Sequence, residues 1–248
     1  MKTQRLILLM VSLLTLASSA FLFGTNKSDL KGAWQNATTE KGEAITRVLL
    51  FSGDYFSWTE YKTASGEFRS TKGGSWQMQD EQITLNYEFN TADTGMVGKS
   101  EVWMVKIQKE KLILSQSTGA KLSWDNIDKG ESTDLTGAWL MAGRVGEDGK
   151  VSRRDTSVPR KTMKILTGTR FQWIAYNTAT KQFSGTGGGT YSAKNGVYTE
   201  NILFFSRDNK RVGASLTFKF DKQEGEWHHA GKSSAGEPMH EIWAPRKN

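Results

Sequence analysis

Apolar and polar residues alternate at a spacing of two along most of this chain. In Ile83-Thr84-Leu85-Asn86-Tyr87-Glu88-Phe89 every second residue is apolar, and Trp103, Val105 and Ile107 repeat the pattern. Leu216, Phe218 and Phe220 alternate in the same way with Ser215, Thr217 and Lys219. This is the signature of half-buried strands, and no long stretch carries a helical period. In the second half of the chain the pattern predicts eight strands, near 138–142, 161–167, 169–176, 181–193, 196–206, 212–220, 226–231 and 239–244. Gly73-Gly74 and Gly188-Gly189 fall inside strand patterns and predict bulges or sharp bends.

The pattern occurs twice. From Phe56 to Gly98 each residue has a counterpart 115 positions later, and 15 of those 43 pairs are identical, Phe56/Phe171, Trp58/Trp173, Tyr61/Tyr176, Phe68/Phe183 and Phe89/Phe204 among them. Leu30-Lys31-Gly32-Ala33-Trp34 recurs as Leu135-Thr136-Gly137-Ala138-Trp139. A repeat of this length means two similar folding units. The expected organisation is a signal peptide over 1–20, a linker over 21–29, a first unit over 30–126, a polar linker over 127–134 and a second unit over 135–248. Eight sequential antiparallel strands close on themselves, which removes exposed edges. The expected fold is therefore all-β: two tandem eight-stranded antiparallel up-and-down barrels after an N-terminal signal segment.

Gly32-Ala33-Trp34 and Gly137-Ala138-Trp139 resemble the Gly-x-Trp of the first strand in lipocalins and related calycin barrels. Gly196-Val197-Tyr198-Thr199-Glu200-Asn201-Ile202 and His240-Glu241-Ile242-Trp243 are similar to the pattern of uncharacterised lipocalin-like domains in secreted bacterial proteins. The resemblance covers most of Leu135–Arg246 and less of Leu30–Trp124, which lacks the latter two elements. It implies a lipocalin-like fold and an export route, not a reaction.

The two copies differ inside. Strand parity turns Ile83, Leu85, Tyr87 and Phe89 inward, and with them Tyr198, Glu200, Ile202 and Phe204. Leu112 and Leu114 correspond to Trp227 and His229, while Leu122 and Trp124 correspond to Glu241 and Trp243. Three leucines thus become two carboxylates and an imidazole. A hairpin centred on Ala235 sets His229 opposite Glu241 and Trp227 opposite Trp243, within reach of a charge-assisted hydrogen bond between the first two. By the same parity His228 and His240 face solvent. Bare carboxylates inside a barrel need partners, water or a ligand. Two readings follow: a buried hydrogen-bond network that fixes register, or a small-molecule site. In the second, Tyr198, Glu200, His229 and Glu241 are polar anchors, and Phe171, Trp173, Tyr191, Phe218 and Trp227 supply contact area. One histidine with two carboxylates also suits a divalent metal, but no metal or other cofactor is called for. The contrast between copies is imperfect, since Glu60 and Glu101 fall on inward parity where the second copy has Ala175 and Leu216. The second unit also has an insertion between Trp139 and Phe171. Its segment 143–161 carries Arg144, Arg153, Arg154, Arg160 and Lys161, and reads as a solvated loop or as a cover for the open end.

Composition narrows the function classes. Lys2 and Arg5, the apolar run Leu6–Leu16 and Ser18-Ser19-Ala20 read as an export signal cleaved after Ala20, with an uncleaved membrane anchor as the alternative. There is no cysteine, so neither a disulfide nor a lipid-modified Cys is available; a periplasmic or secreted bacterial protein is expected, with no stable membrane span once the signal is removed. The net charge is +7, but the basic residues are dispersed and no helix-turn-helix, zinc pattern or RNA-binding motif accompanies them, so nucleic acid is not an expected partner. Gly-x-Ser-x-Gly, His-Glu-x-x-His and a cysteine nucleophile are all missing. The sequence therefore favours a non-catalytic binder of a small hydrophobic or amphipathic molecule. A structural or interaction protein of the envelope with filled barrels is the alternative, and a hydrolase or isomerase using Glu200, His229 and Glu241 is the weaker one.

Overall fold

Short turns between alternating strands give two closed barrels in a computed structural model that describes residues 25–233 and 236–247. The expected signal segment, residues 21–24 of the expected linker and Ala235 lie outside the described residues. A single helical turn, α1 (Lys27–Leu30), precedes the first barrel. Its strands are β1 (Gly32–Glu40), β2 (Glu43–Ser52), β3 (Tyr55–Lys62), β4 (Phe68–Gln79), β5 (Gln82–Asn90), β6 (Ser100–Gln108), β7 (Lys111–Ser115) and β8 (Lys121–Asn126). Each pairs with the next, and β8 returns to β1 at Trp34↔Asn126. The second barrel contains β9 (Gly137–Val145), β10 (Val151–Arg153), β11 (Arg160–Leu166), β12 (Arg170–Asn177), β13 (Gln182–Lys194), β14 (Val197–Phe205), β15 (Ser215–Gln223), β16 (Glu226–Lys232) and β17 (Pro238–Pro245). β17 closes the ring on β9, and β10, which falls in the inserted segment, hangs on the β9 edge. All eight strands expected in the second unit are present.

One end of each barrel is closed by the repeated Gly-x-Trp segment. The Trp34 indole donates to Leu30 O at 2.8 Å, and the Trp139 indole to Leu135 O at 2.9 Å. Trp34, Trp139, Leu30 and Leu135 are all buried. Each tryptophan thus finishes a packed floor while its N–H stays satisfied. The opposite end is the mouth, where β1, β5 and β7, or β9, β14 and β16, terminate.

The double glycines mark bulges, and the bulges overturn part of the inward parity. On β4 and β5, Gly73 pairs with Phe89 but Gly74 with Tyr87, leaving Glu88 as the extra residue. Gly188↔Phe204 and Gly189↔Ile202 repeat this around Leu203. The glycines are required by close approach: a Cβ on Gly74 would lie 2.1 Å from Asn86 O, and one on Gly189 2.0 Å from Asn201 O. Each bulge reverses the alternation beyond it. Phe89 and Phe204, expected inside, therefore point outward into the contact between the barrels.

That contact pairs repeat counterparts reciprocally. Tyr61 stacks on Phe204 at 5.2 Å, and the equivalent Phe89 meets Tyr176 at 4.9 Å. Phe68 stacks on its own counterpart Phe183 at 6.0 Å. Val48 and Leu50 join their counterparts Met163 and Ile165 in the same buried cluster. A joint in which i meets j′ and j meets i′ is isologous, as in a two-fold dimer. Phe68 and Phe183 sit near the mouths, whereas Ser52 donates to Leu166 O at the closed ends, so both mouths open on the same side of the molecule. The buried core of the joint is polar as well: Gln172 accepts from Thr59 and donates to Thr71 and Thr186 at 2.9–3.0 Å.

Asp128, in the segment between barrels, ties the two floors together. Its carboxylate accepts from Ala33 N, Gly168 N, Thr169 N and Thr169 Oγ1 at 2.6–2.9 Å, while the residue is only 3% exposed. In D128N one acceptor oxygen becomes an NH2 group facing a backbone donor. A loss of about 1–2 kcal/mol is expected, because hydrogen bonds to a charged acceptor exceed neutral ones by roughly that amount. Urea unfolding of both proteins measures it, and an unchanged midpoint would contradict this role.

Candidate ligand cavity of the second barrel

The floor of the second barrel is polar where that of the first is apolar. Lys164 on β11 stands where β2 has Leu49, and Glu200 on β14 where β5 has Leu85. Lys164 Nζ lies 2.8 Å from Glu200 Oε1, with both side chains about 5% exposed. The same oxygen accepts from Tyr198 OH at 2.8 Å. Burial and the Glu200 charge push the Tyr198 phenol well above its ordinary pKa, so it remains a donor. The Lys164 ammonium also lies 5.0–5.2 Å from the ring centroids of Tyr198, Trp227 and Trp243. A cation held by one carboxylate and three aromatic rings is electrostatically complete.

The hairpin register read from the sequence is observed: Trp227↔Trp243 and His229↔Glu241. The expected charge-assisted hydrogen bond is not. His229 Nδ1 is 3.7 Å from Glu241 Oε2, beyond hydrogen-bond length, and neither ring nitrogen has a hydrogen-bond partner among the described residues. Burial, reinforced by the Lys164 charge, lowers the His229 pKa to about 4 against the pull of the nearby carboxylates. The ring is therefore neutral at pH 7 and packs as an aromatic, 4.1 Å from Phe218 and 5.2 Å from Trp227. Burial of Glu241 favours its neutral form, but His229, Lys164 and Arg144 outweigh it and hold the carboxyl below its ordinary value. Arg144 NH2 reaches Glu241 Oε1 at 3.2 Å. His228 and His240, expected to face solvent, are half-buried on the outer face, with their ring nitrogens 3.1 Å apart.

Above this floor lies a cavity of about 450 Å3, within the range of small-molecule sites. Of the nine residues expected in a site, Glu200, Glu241, Trp173 and Phe218 line it. Phe171, Tyr191, Tyr198, Trp227 and His229 lie in the packed interior outside its lining. Its apolar wall is completed by Met141, Ile202, Phe205, Leu216 and Trp243, which sequence reasoning did not single out.

The cavity exists because the second barrel lacks a plug. In the first barrel the mouth is filled by charge pairs: Arg47 Nε binds Glu60 at 2.9 Å, and Lys72 lies 3.8 Å from Glu101 and 4.2 Å over the Trp58 ring. Glu101 also accepts from Tyr87 OH and from Gln116, the latter at 2.8 Å. Below them Trp58, Trp76, Trp103 and Trp124 pack the interior. The counterparts of Arg47, Glu60, Lys72 and Glu101 are Thr162, Ala175, Gly187 and Leu216. Four long charged side chains have become short or apolar ones, and three of these four line the cavity.

The mouth of the second barrel is cationic. Arg144, Arg154, Arg160, Lys161 and Arg207 line the outer cavity with Lys164 beneath, against the carboxylates of Glu200 and Glu241. Arg207 packs over Trp173 at 5.6 Å and donates to Ser184 O. The inserted segment thus contributes cavity wall, although Arg153 turns away to bind Glu226 at 2.7 Å. Neither a protein-family model nor a curated protein sequence matches the chain.

Proposed function

We propose that this protein is an exported, periplasmic or secreted carrier of lipocalin-like type whose C-terminal barrel holds a small hydrophobic or amphipathic ligand. The observation that carries the reading is the unplugged neck. Where the first barrel sets Arg47 opposite Glu60, the second sets Thr162 opposite Ala175, and a cavity of ligand size remains. Trp173, Phe205, Phe218 and Trp243 offer rigid apolar contact around it. The floor carboxylates are already satisfied by Lys164, Tyr198 and Arg144, so a ligand need not neutralise them.

The first barrel fits the alternative role, a filled structural partner, because tryptophans and ion pairs occupy its interior. A hydrolase or isomerase reading gains no support from the cluster. His229 contacts no hydroxyl or carboxylate at hydrogen-bond distance, and Glu200 is engaged by Lys164 and Tyr198.

The test is to rebuild the plug. T162R/A175E places in the second barrel the cross-strand pair that the first barrel uses at Arg47 and Glu60. The full chain is expected to bind the apolar fluorophore N-phenyl-1-naphthylamine, and T162R/A175E to bind it at least about tenfold more weakly, a difference of roughly 1.4 kcal/mol. The far-ultraviolet circular dichroism should be unchanged. Equal binding by both proteins, or none by the unaltered chain, would overturn the proposal.

A further inference from the structure

The wall of the second barrel is split at its mouth. In the first barrel β1 and β2 pair at nine positions, from Gly32↔Phe51 to Glu40↔Glu43. Their counterparts β9 and β11 pair at only four, from Gly137↔Leu166 to Leu140↔Met163. Past Leu140, β9 leaves β11 and from Gly143 pairs with β10 instead. Arg160, Lys161 and Thr162 pair with β12 on one side but border a seam on the side facing β9, and the segment 154–159 bridges it.

The seam contains a second cavity of about 370 Å3. It shares Met141, Arg154, Arg160, Lys161 and Thr162 with the barrel cavity, so the two adjoin through a common wall of side chains. Its charge is one-sided. Asp155 is the single carboxylate lining it, and that group accepts from Ser157 N and Oγ. Arg154 and Arg160 are exposed and form no ion pair among the described residues, while Lys161 Nζ donates to Thr156 O. Cations without carboxylate partners, beside a cavity whose wall carries Trp173, Phe205 and Phe218, form a site with two chemistries.

We propose that this seam is a headgroup subsite, and that the carried molecule is a single-chain amphiphile ending in an anionic group such as a carboxylate or phosphate monoester. The proposal rests on the carrier reading above. The alkyl chain lies along Trp173, Phe205 and Phe218 in the barrel, and the anion sits between Arg154 and Arg160 in the seam. Two guanidinium groups flanking one anion give charge-assisted contacts, which are stronger than neutral hydrogen bonds.

Isothermal titration of the full chain tests this with four probes below their micellar concentrations: dodecyl phosphate, dodecan-1-ol, dodecyltrimethylammonium and inorganic phosphate. Dodecyl phosphate is expected to bind at least tenfold tighter than dodecan-1-ol, with the cationic chain weakest and inorganic phosphate weaker than dodecyl phosphate by a hundredfold or more. R154Q/R160Q should abolish the preference for dodecyl phosphate over dodecan-1-ol, bringing the two affinities within about threefold of each other. Equal binding of all three chains, insensitive to R154Q/R160Q, would overturn the headgroup subsite and leave the carrier reading intact. Inorganic phosphate matching dodecyl phosphate would reduce the seam to a simple anion site and overturn the amphiphile. No binding of any chain would overturn both readings.

Discussion

K164L is expected to lower the unfolding free energy by about 3–5 kcal/mol, the usual consequence of leaving one member of a buried ion pair without its partner. Lys164 and Glu200 are both nearly inaccessible, and the aromatic rings of Tyr198, Trp227 and Trp243 around the ammonium cannot replace a cation for the carboxylate. The chain contains its own apolar solution at these positions, because the first barrel places Leu49 and Leu85 there and Ile83 in place of Tyr198. K164L/Y198F/E200L removes both charges and the hydroxyl that bonds Glu200. It should recover most of the loss and come within about 1–2 kcal/mol of the unaltered chain, since exchanging a complete buried pair for apolar residues is often neutral or better. Urea unfolding of the two variants provides the measurement. If K164L alone unfolds at the original midpoint, the ion pair is solvated and the floor of the second barrel is not sealed as described.

The second large effect is on pH dependence. His229 has a folded pKa of about 4, below its ordinary 6.5. Between these values the unfolded chain takes up a proton that the folded chain refuses, so acid favours unfolding. The contribution of this group is complete above pH 6.5 and is lost progressively down to about pH 4. It amounts to about 1.4 kcal/mol per pH unit and roughly 3 kcal/mol in all. The depressed carboxyl of Glu241 adds a loss at lower pH, so the histidine is best isolated between pH 6.5 and 5. H229L installs the counterpart residue Leu114 and should flatten the stability profile in that window by about 2 kcal/mol. His228 and His240 remain in both proteins, so the difference belongs to position 229. Parallel profiles for H229L and the unaltered chain would mean that the ring is hydrated and titrates normally.

Much of this architecture is legible in the sequence because strand alternation and the repeat reinforce each other. Period two located all eight strands of the second barrel, and symmetric spacing about residue 235 gave the His229↔Glu241 register. Three features escaped for physical reasons. Parity counting cannot pass a bulge, so Phe89 and Phe204 were assigned to the wrong side although Gly73-Gly74 and Gly188-Gly189 marked the place. Lys164 lies outside the stretch of repeat identities, which begins at Phe56/Phe171; the same offset of 115 extended seven residues upstream pairs Lys164 with Leu49. The neck residues were hidden because a cavity forms from what is removed. Thr162 and Gly187 draw no notice until set beside Arg47 and Lys72.

The isologous joint has an evolutionary consequence. A mutation in an ancestral unit at the position of Tyr61 or Phe89 would have altered two contacts at once, because each such residue met a copy of its neighbour. In one chain each of these residues is free to vary alone, yet Tyr61/Tyr176, Phe68/Phe183 and Phe89/Phe204 are identical. The barrel necks, marked in the second unit by Thr162, Ala175 and Leu216, lie outside that cluster and carried no such obligation. One could remain solid while its twin was hollowed, and the rigid half then serves as a splint for the half that gave up packing to make room.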